Sequence, residues 1–134
     1  MHPPFNWKHI LLIDDDTILN LIHKKILDII GYKGTVLDFS NGFKAIEYLR
    51  NDTEIKLSPT LIILDLEMPL MKGWGFLDCF GKLDGIKRED FKIVVSSSST
   101  NPEDIHKALE YEIVDEFIPK PMTIEIFKRL VERH

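Results

Sequence analysis

The sequence predicts an α/β fold of five successive strand–helix units, doubly wound around a five-stranded parallel sheet. Three observations predict it. Five short runs are rich in apolar and β-branched residues: HILLID at 9–14, GTVLDF at 34–39, TLIILD at 60–65, FKIVVS at 91–96 and VDEFIP at 114–119. The stretches between them carry apolar residues at intervals of three and four, the spacing of an amphipathic helix. Strands that alternate with such helices call for a parallel sheet covered on both faces. Right-handed crossovers leave few topologies, and five strands are too few for a closed eight-stranded barrel.

Each element has a local reason. After the first strand, residues 16–30 place Ile18, Leu21, Ile22, Ile26, Ile29 and Ile30 near one helical face, the expected core face, and Gly31 stops the helix. Asp38, within the second strand, suits an exposed position near a sheet edge. Ser40 is the expected N-cap of a helix through Arg50, with Phe43, Ile46 and Leu49 inward. Pro69 and Gly73 mark a loop after the third strand, followed by a helix over 74–82. Asn101-Pro102-Glu103-Asp104 reads as a helix start: a capping side chain, a proline in the first turn, then acids against the helix dipole. That helix turns Ile105, Ala108 and Leu109 inward. The last, Thr123–Arg133, turns Ile124, Phe127, Leu130 and Val131 inward.

Composition removes several functions. The 134 residues suit one domain, expected over 1–134 with an N-terminal extension at 1–8. Seventeen basic against 22 acidic residues, a net charge of −5, argue against a nucleic-acid or membrane-surface binder. The purely apolar runs Ile10–Ile13 and Leu61–Leu64 are far shorter than the roughly 18 residues of a membrane span. The N-terminus lacks the apolar core of a signal peptide, so a cytoplasmic location is expected. One cysteine, Cys79, excludes an internal disulfide; it falls in a helical pattern and reads as a small buried residue. The histidines His2, His9, His23, His106 and His134 show no ligand pairing and read as surface or helix-face residues.

In an open α/β sheet, ligands bind beyond the carboxyl ends of the strands. There this sequence puts Asp14, Asp15 and Asp16 after the first strand, Asp65 after the third, Ser96 to Ser99 after the fourth and Lys120-Pro121 after the fifth. Taken singly, each has an ordinary reading as a helix cap, a turn residue, a polar loop or an exposed turn. Jointly they place acid, acid, hydroxyl and ammonium on one rim. If the first and third strands are neighbours, three carboxylates converge and cannot all stay ionised unaided. An all-oxygen donor set with room for water suits Mg²⁺. Mg²⁺, an ammonium and a hydroxyl around one carboxylate suit stabilisation of a phosphoryl group, with Asp65 as nucleophile.

These residues resemble the receiver domain of two-component response regulators from about His9 to Val131. Asp14-Asp15 is similar to the family's acidic pair. Asp65-Leu-Glu-Met-Pro-Leu-Met-Lys-Gly resembles its phosphoacceptor loop, with Met68, Pro69, Met71 and Gly73 in place, continued by Trp74-Gly75-Phe76-Leu77. Phe117-Ile118-Pro119-Lys120-Pro121 resembles its last-strand signature. The resemblance implies a flavodoxin-like, CheY-like sandwich with strand order 2-1-3-4-5. It implies that Asp65 accepts a phosphoryl group from a sensor histidine kinase or histidine phosphotransfer protein. It implies Mg²⁺ as cofactor, held by Asp14 (through water), Asp15, Asp65 and the backbone carbonyl of Glu67. Lys120 would pair with Asp65 or the phosphoryl oxygens, a strand-four hydroxyl would turn toward the phosphoryl, and Phe117 would follow it as the switch aromatic. Lys120-Pro121 would be cis.

Two departures stand out. Counting back from Asp104 favours Ser97 as the switch hydroxyl, with Ser96 as runner-up; the interval from Ser97 to Lys120 is one residue longer than the family's usual one, and the surplus is assigned to the Tyr111–Asp115 turn. Phe117 stands where the family often has tyrosine. The resemblance also implies that Glu67 and Ser99 tune phosphoryl lifetime. The expected function is a phosphoacceptor switch, not a turnover enzyme, acting through an unknown downstream protein as a monomer or phosphorylation-dependent dimer, since the length leaves no output domain. The alternative is a phosphohydrolase of the haloacid dehalogenase type, but Thr17 falls one position early for its Asp-x-Asp-x-Thr motif. A flavodoxin-like electron carrier lacks a hydroxyl-rich phosphate loop, and a degenerate receiver would not keep the full acidic set and Lys120.

Overall fold

The structure, a computed structural model, describes residues 7–52, 56, 58–68 and 72–132. Pro69 and Met71 of the loop motif, most of the N-terminal extension and Arg133 lie outside the described residues. The element order is β1 His9–Ile13, α1 Thr17–Ile29, β2 Thr35–Phe39, α2 Gly42–Asn51, β3 Thr60–Asp65, α3 Gly73–Phe80, β4 Phe91–Ser97, α4 Pro102–Glu110, β5 Val114–Pro119 and α5 Ile124–Val131. The five strands are parallel in the order β2-β1-β3-β4-β5, as expected. The edge strand β2 leaves Asp38 exposed. The central strands β1 and β3 are buried at every residue.

Two apolar clusters flank the sheet. On one face Leu11, Ile13, Ile62, Leu64, Ile93 and Val95 meet α2, α3 and α4 through Leu49, Phe76, Phe80 and Ala108. Cys79 is half-buried against this cluster. On the other face Ile10, Leu12, Leu61, Ile63 and Val94 meet α1 and α5 through Leu27, Phe127, Leu130 and Val131. The division follows the alternation of side chains along each strand.

The helix ends are built by short-range hydrogen bonds. Asp16 caps α1 through the Leu19 N–H (3.0 Å), and Asn101 caps α4 through the Glu103 N–H (3.0 Å). Gly31, at φ 84°, closes α1: its N–H donates to Asp28 and that of Tyr32 to Leu27, leaving few carbonyls of the last turn unpaired. The cap of α2 differs from the sequence expectation. It is Asn41, not Ser40, whose side chain accepts from the Lys44 N–H at 3.0 Å. Phe43 is 57% exposed rather than inward, and Ala45 is buried beside Ile46 and Leu49.

The larger correction concerns α1. Ile18, Leu21, Ile22 and Ile29 were expected inward, yet they are 70%, 67%, 49% and 61% exposed. The buried residues of α1 are Asn20, His23 and Leu27. Periodicity alone fixes a face but not its direction. Asn20 and His23 lie over the polar strand ends, where isoleucine side chains would find carboxylates. At the margins of their helices, Leu109 and Ile124 are also exposed rather than inward.

The β4–β5 ladder is irregular ahead of Lys120. Ile93 pairs with Val114, but Val94 pairs with Glu116, so Asp115 is a β-bulge. The Asp115 carboxylate accepts from the Ile93 N–H at 2.8 Å and faces the Arg88 guanidinium at 3.2 Å. Arg88 in turn donates to the carbonyls of Phe91 and Ile113, tying the starts of β4 and β5 together.

Candidate functional site

The sheet register sets out the site in a row. Ile13 pairs with Leu64, and Asp65 pairs with Ser96. Asp14, one residue past Ile13, therefore stands level with Asp65 and Ser96. Its N–H donates to the Phe39 carbonyl at 3.1 Å, which continues the β1–β2 ladder by one step. Lys120 follows the end of β5, two residues past Ile118, the partner of Ser96. The peptide bond from Lys120 to Pro121 is cis. Gly73 lets α3 begin hard against this rim: a Cβ there would lie 2.8 Å from the Leu66 Cα and 3.0 Å from the Asp65 carbonyl oxygen.

The charges are tightly arranged. Lys120 Nζ donates to Asp14 Oδ2 at 2.9 Å and lies 3.3 Å from Asp65 Oδ1. Asp14 Oδ1 accepts from the Asp16 N–H at 2.9 Å, so both oxygens of that carboxylate are held. Asp15 is exposed beside them. One carboxylate oxygen from each of Asp14, Asp15 and Asp65 lies within 4.8 Å of the others. Burial, and then the Asp14 charge, push the Asp65 carboxyl up to about 6, with the Lys120 ammonium opposing. Burial also pulls on Lys120, but the Asp14 and Asp65 carboxylates outweigh it and hold the ammonium above its ordinary value.

This donor set fits a hard divalent cation. Oxygen ligands at about 2.0–2.6 Å from one ion stand at most about 4–5 Å apart, and the three carboxylates meet that limit. One ammonium faces three carboxylates here. Asp15 and Asp65 would bind through a carboxylate oxygen. Asp14, with both oxygens engaged, suits a contact through water, and the Glu67 carbonyl is close along the chain.

The serines separate by face. Ser96 shares the side of Val94, toward α1 and α5, whereas Ser97 shares the side of Val95, toward α4. Phe117, half-buried and paired with Val95, packs on that same side. Ser97 Oγ donates to Glu67 Oε1 at 2.6 Å, and Ser98 Oγ donates to Glu67 Oε2 at 2.9 Å. The Ser97 bond is the main reason the Glu67 carboxyl lies below its usual range. Ser99 instead bonds Asp104 at 2.7 Å. Sequence reasoning gave Glu67 a backbone contact to the ion and a part in phosphoryl lifetime, and missed its side-chain grip on Ser97. It also missed Asn20 and His23, which the structure brings to the inner side of the site. Their signal was present: residues 20, 23 and 27 form a second stripe at helical spacing, masked by the more apolar one beside it.

Comparison with known proteins places the chain. Residues 10–132 match the family model of the response regulator receiver domain. The sensor histidine kinase CheAY of Helicobacter pylori is 30% identical over 124 residues, covering 92% of this chain and 14% of that protein's length. A two component response regulator from Cytophaga hutchinsonii superposes with a TM-score of 0.82 at 28% identity, covering 93% of this chain and 94% of that one. The Mn²⁺-bound form of the response regulator Rcp1 superposes with a TM-score of 0.71 at 25% identity, covering 92% and 88%. The chain belongs to the response regulator receiver domains of two-component systems. The dehalogenase alternative gains no support from these matches. Among the described residues, no helix is long and apolar enough to cross a membrane.

Proposed function

We propose that this receiver is a phosphorylation switch in which Asp65 accepts a phosphoryl group from a phosphohistidine in the presence of Mg²⁺. The observation that carries the reading is the bridge of Lys120 between Asp14 and Asp65, set against three carboxylates close enough to share one ion. A bound Mg²⁺ would supply positive charge for the phosphoryl oxygens. Asp14, Asp15, Asp65 and the Glu67 carbonyl would hold it, and the Mn²⁺-bound form of the similar Rcp1 supports binding of a divalent ion.

A carboxylate oxygen of Asp65 attacks phosphorus, the P–N bond breaks, and the imidazole leaves with the bonding pair and takes a proton. Lys120 is placed to neutralise charge on the transferred oxygens. Ser97 starts on Glu67. Once Asp65 carries the phosphoryl group, its oxygens compete for the Ser97 hydroxyl, and Phe117 lies on the same face to follow that movement. The readout is a changed surface around α4 and β5.

The outward apolar side of α1 supports a protein donor. Ile18, Leu21 and Ile22 are exposed and begin directly beyond the acidic rim. A helix presenting a phosphohistidine could bury them while delivering its phosphoryl to Asp65. A relative that is itself a sensor histidine kinase fits a donor of that class.

The test is intact-mass measurement after incubation with a small phosphodonor and Mg²⁺. One added phosphoryl group is expected, absent in Asp65→Asn and absent with EDTA. An unchanged wild-type mass, together with no binding of beryllofluoride or Mg²⁺, overturns the reading.

A further inference from the structure

Behind Asp65, on the side facing α1, lies a small, mostly enclosed chamber. Its walls combine apolar side chains, Ile63 among them, with Asp65, Ser96, Asn20, His23 and Lys120. Three polar atoms on these walls have no hydrogen-bond partner among the described residues: Asp65 Oδ1, Ser96 Oγ and Asn20 Oδ1. All three residues are at least nine-tenths buried. Lys120 is within 3.3 Å of Asp65 Oδ1, near enough for an ion pair but not aligned as a hydrogen bond. The orientation of Asn20 is not free. Its Nδ2 donates to the Asp14 carbonyl at 2.9 Å, and its buried Oδ1 has no partner among the described residues.

Ser96 Oγ and Asn20 Oδ1 are costly to bury unpaired, and the Lys120 ion pair leaves Asp65 Oδ1 further accepting capacity. Their chemistry sums to one partner. Asp65 Oδ1 and Asn20 Oδ1 accept, and Ser96 Oγ has a proton to give. A water donates two protons and accepts one or two. The space is about 10 Å³, close to the minimum for one water and too small for a second. A second cation would lie beside the Lys120 ammonium, in a space without room for a coordination shell. His23 also lines the space, its ring 4.9 Å from that of Phe127, and burial lowers its pKa.

We propose that this chamber binds one ordered water that joins Asp65, Ser96 and Asn20, and that Ser96 and Asn20 thereby act as positioning residues for the phosphoacceptor. The functional half of this inference rests on the reading of Asp65 above; the water site does not. The water takes up the inner oxygen of Asp65, so the carboxylate keeps a single rotation about its χ2 bond. Through the Asn20 amide, the same link fixes the Asp14 backbone on the neighbouring strand. Ser96 and Ser97 then divide the work: Ser96 holds the site before transfer, and Ser97 reports it afterwards.

The experiment compares wild type, Ser96→Ala and Ser96→Val as full chains. Ser96→Val fills the chamber with methyl groups, in a strand that favours valine. Ser96→Ala leaves room for the water and its two acceptors. Magnetic relaxation dispersion of water oxygen-17 counts long-lived buried waters without reference to activity. Ser96→Val is expected to lose one relative to wild type, and Ser96→Ala to keep it. With a small phosphodonor, the maximal phosphorylation rate of Ser96→Val is expected to fall about tenfold or more, with the half-saturating donor concentration unchanged. Asn20→Leu, from the opposite wall, serves the same purpose if Ser96→Val does not fold. Equal water counts in wild type and Ser96→Val overturn the site. A lost water with an unchanged rate overturns the positioning role. A wild type that takes no phosphoryl group overturns the phosphoacceptor reading instead, while the water count still decides the chamber.

Discussion

Helices α1 and α5 lie side by side on one face of the sheet and follow opposite rules. In α5 the apolar stripe Phe127, Leu130 and Val131 is buried, and Glu125, Lys128 and Arg129 face outward. In α1 the more apolar stripe faces solvent, and Asn20, His23 and Leu27 face the sheet. The difference comes from what each helix covers. The α5 stripe meets Ile10, Leu12, Leu61 and Ile118. The first half of α1 instead covers Asp14 and the chamber behind Asp65. A helix buries the face that matches its floor, and hydrophobicity decides only when the floor is apolar.

The largest expected effect lies on α5. Phe127 is fully buried against His23 and the β1 side chains. Phe127→Ala should destabilise the fold by about 3–5 kcal/mol, read by urea denaturation. A cost below about 1 kcal/mol would end the contrast at its first term.

The floor under α1 gives the next effect. Asp65 is held up to about 6, against an ordinary carboxylate value of 3.8. Between pH ~4 and ~6 Asp65 holds its proton more tightly in the native than in the unfolded state, so its contribution to stability falls as pH rises through that window. Above it, the ionised, buried Asp65 is a fixed burden. In Mg²⁺-free buffer at pH 7.5, Asp65→Asn should therefore exceed wild type by about 2–3 kcal/mol. That advantage should shrink below pH ~4 and on adding Mg²⁺. Thermal unfolding across pH checks it, and a less stable Asp65→Asn at pH 7.5 contradicts it.

The smallest stability effect belongs to the outer face of α1. Leu21→Ala with Ile22→Ala should change stability by no more than about 0.5 kcal/mol per site. The same pair should slow phosphorylation by a phosphohistidine protein while leaving that by a small phosphodonor unchanged. Loss of stability comparable to that of Phe127→Ala would place the stripe in the core after all.

Much of this was legible in the sequence. The strands announced themselves because β1, β3 and β4 are buried on both sides and so are apolar without alternation. Asp14, Asp65 and Lys120 were legible because strand ends in such a sheet converge, whatever the loops do. The direction of α1 was not, because Ile18, Leu21, Ile22 and Ile29 make a stronger stripe than Asn20, His23 and Leu27, and only the third dimension puts carboxylates beneath one of them. The division between Ser96 and Ser97 needed the register, since adjacent residues differ only in the face they take. The grip of Glu67 on Ser97 joins the ends of two different strands, and spacing along one chain does not report it.

The bulge at Asp115 has a consequence for where this chain tolerates a change in length. Upstream of it, between Tyr111 and Val114, a residue gained or lost is taken up by the turn and by the Arg88 tie. Downstream, from Glu116 to Lys120, the same edit would exchange the two faces of β5. Phe117 would swing toward α5, and Lys120 would leave the row of Asp14 and Asp65. The bulge thus acts as an expansion joint: it absorbs a miscount on one side so that the count on the other stays true.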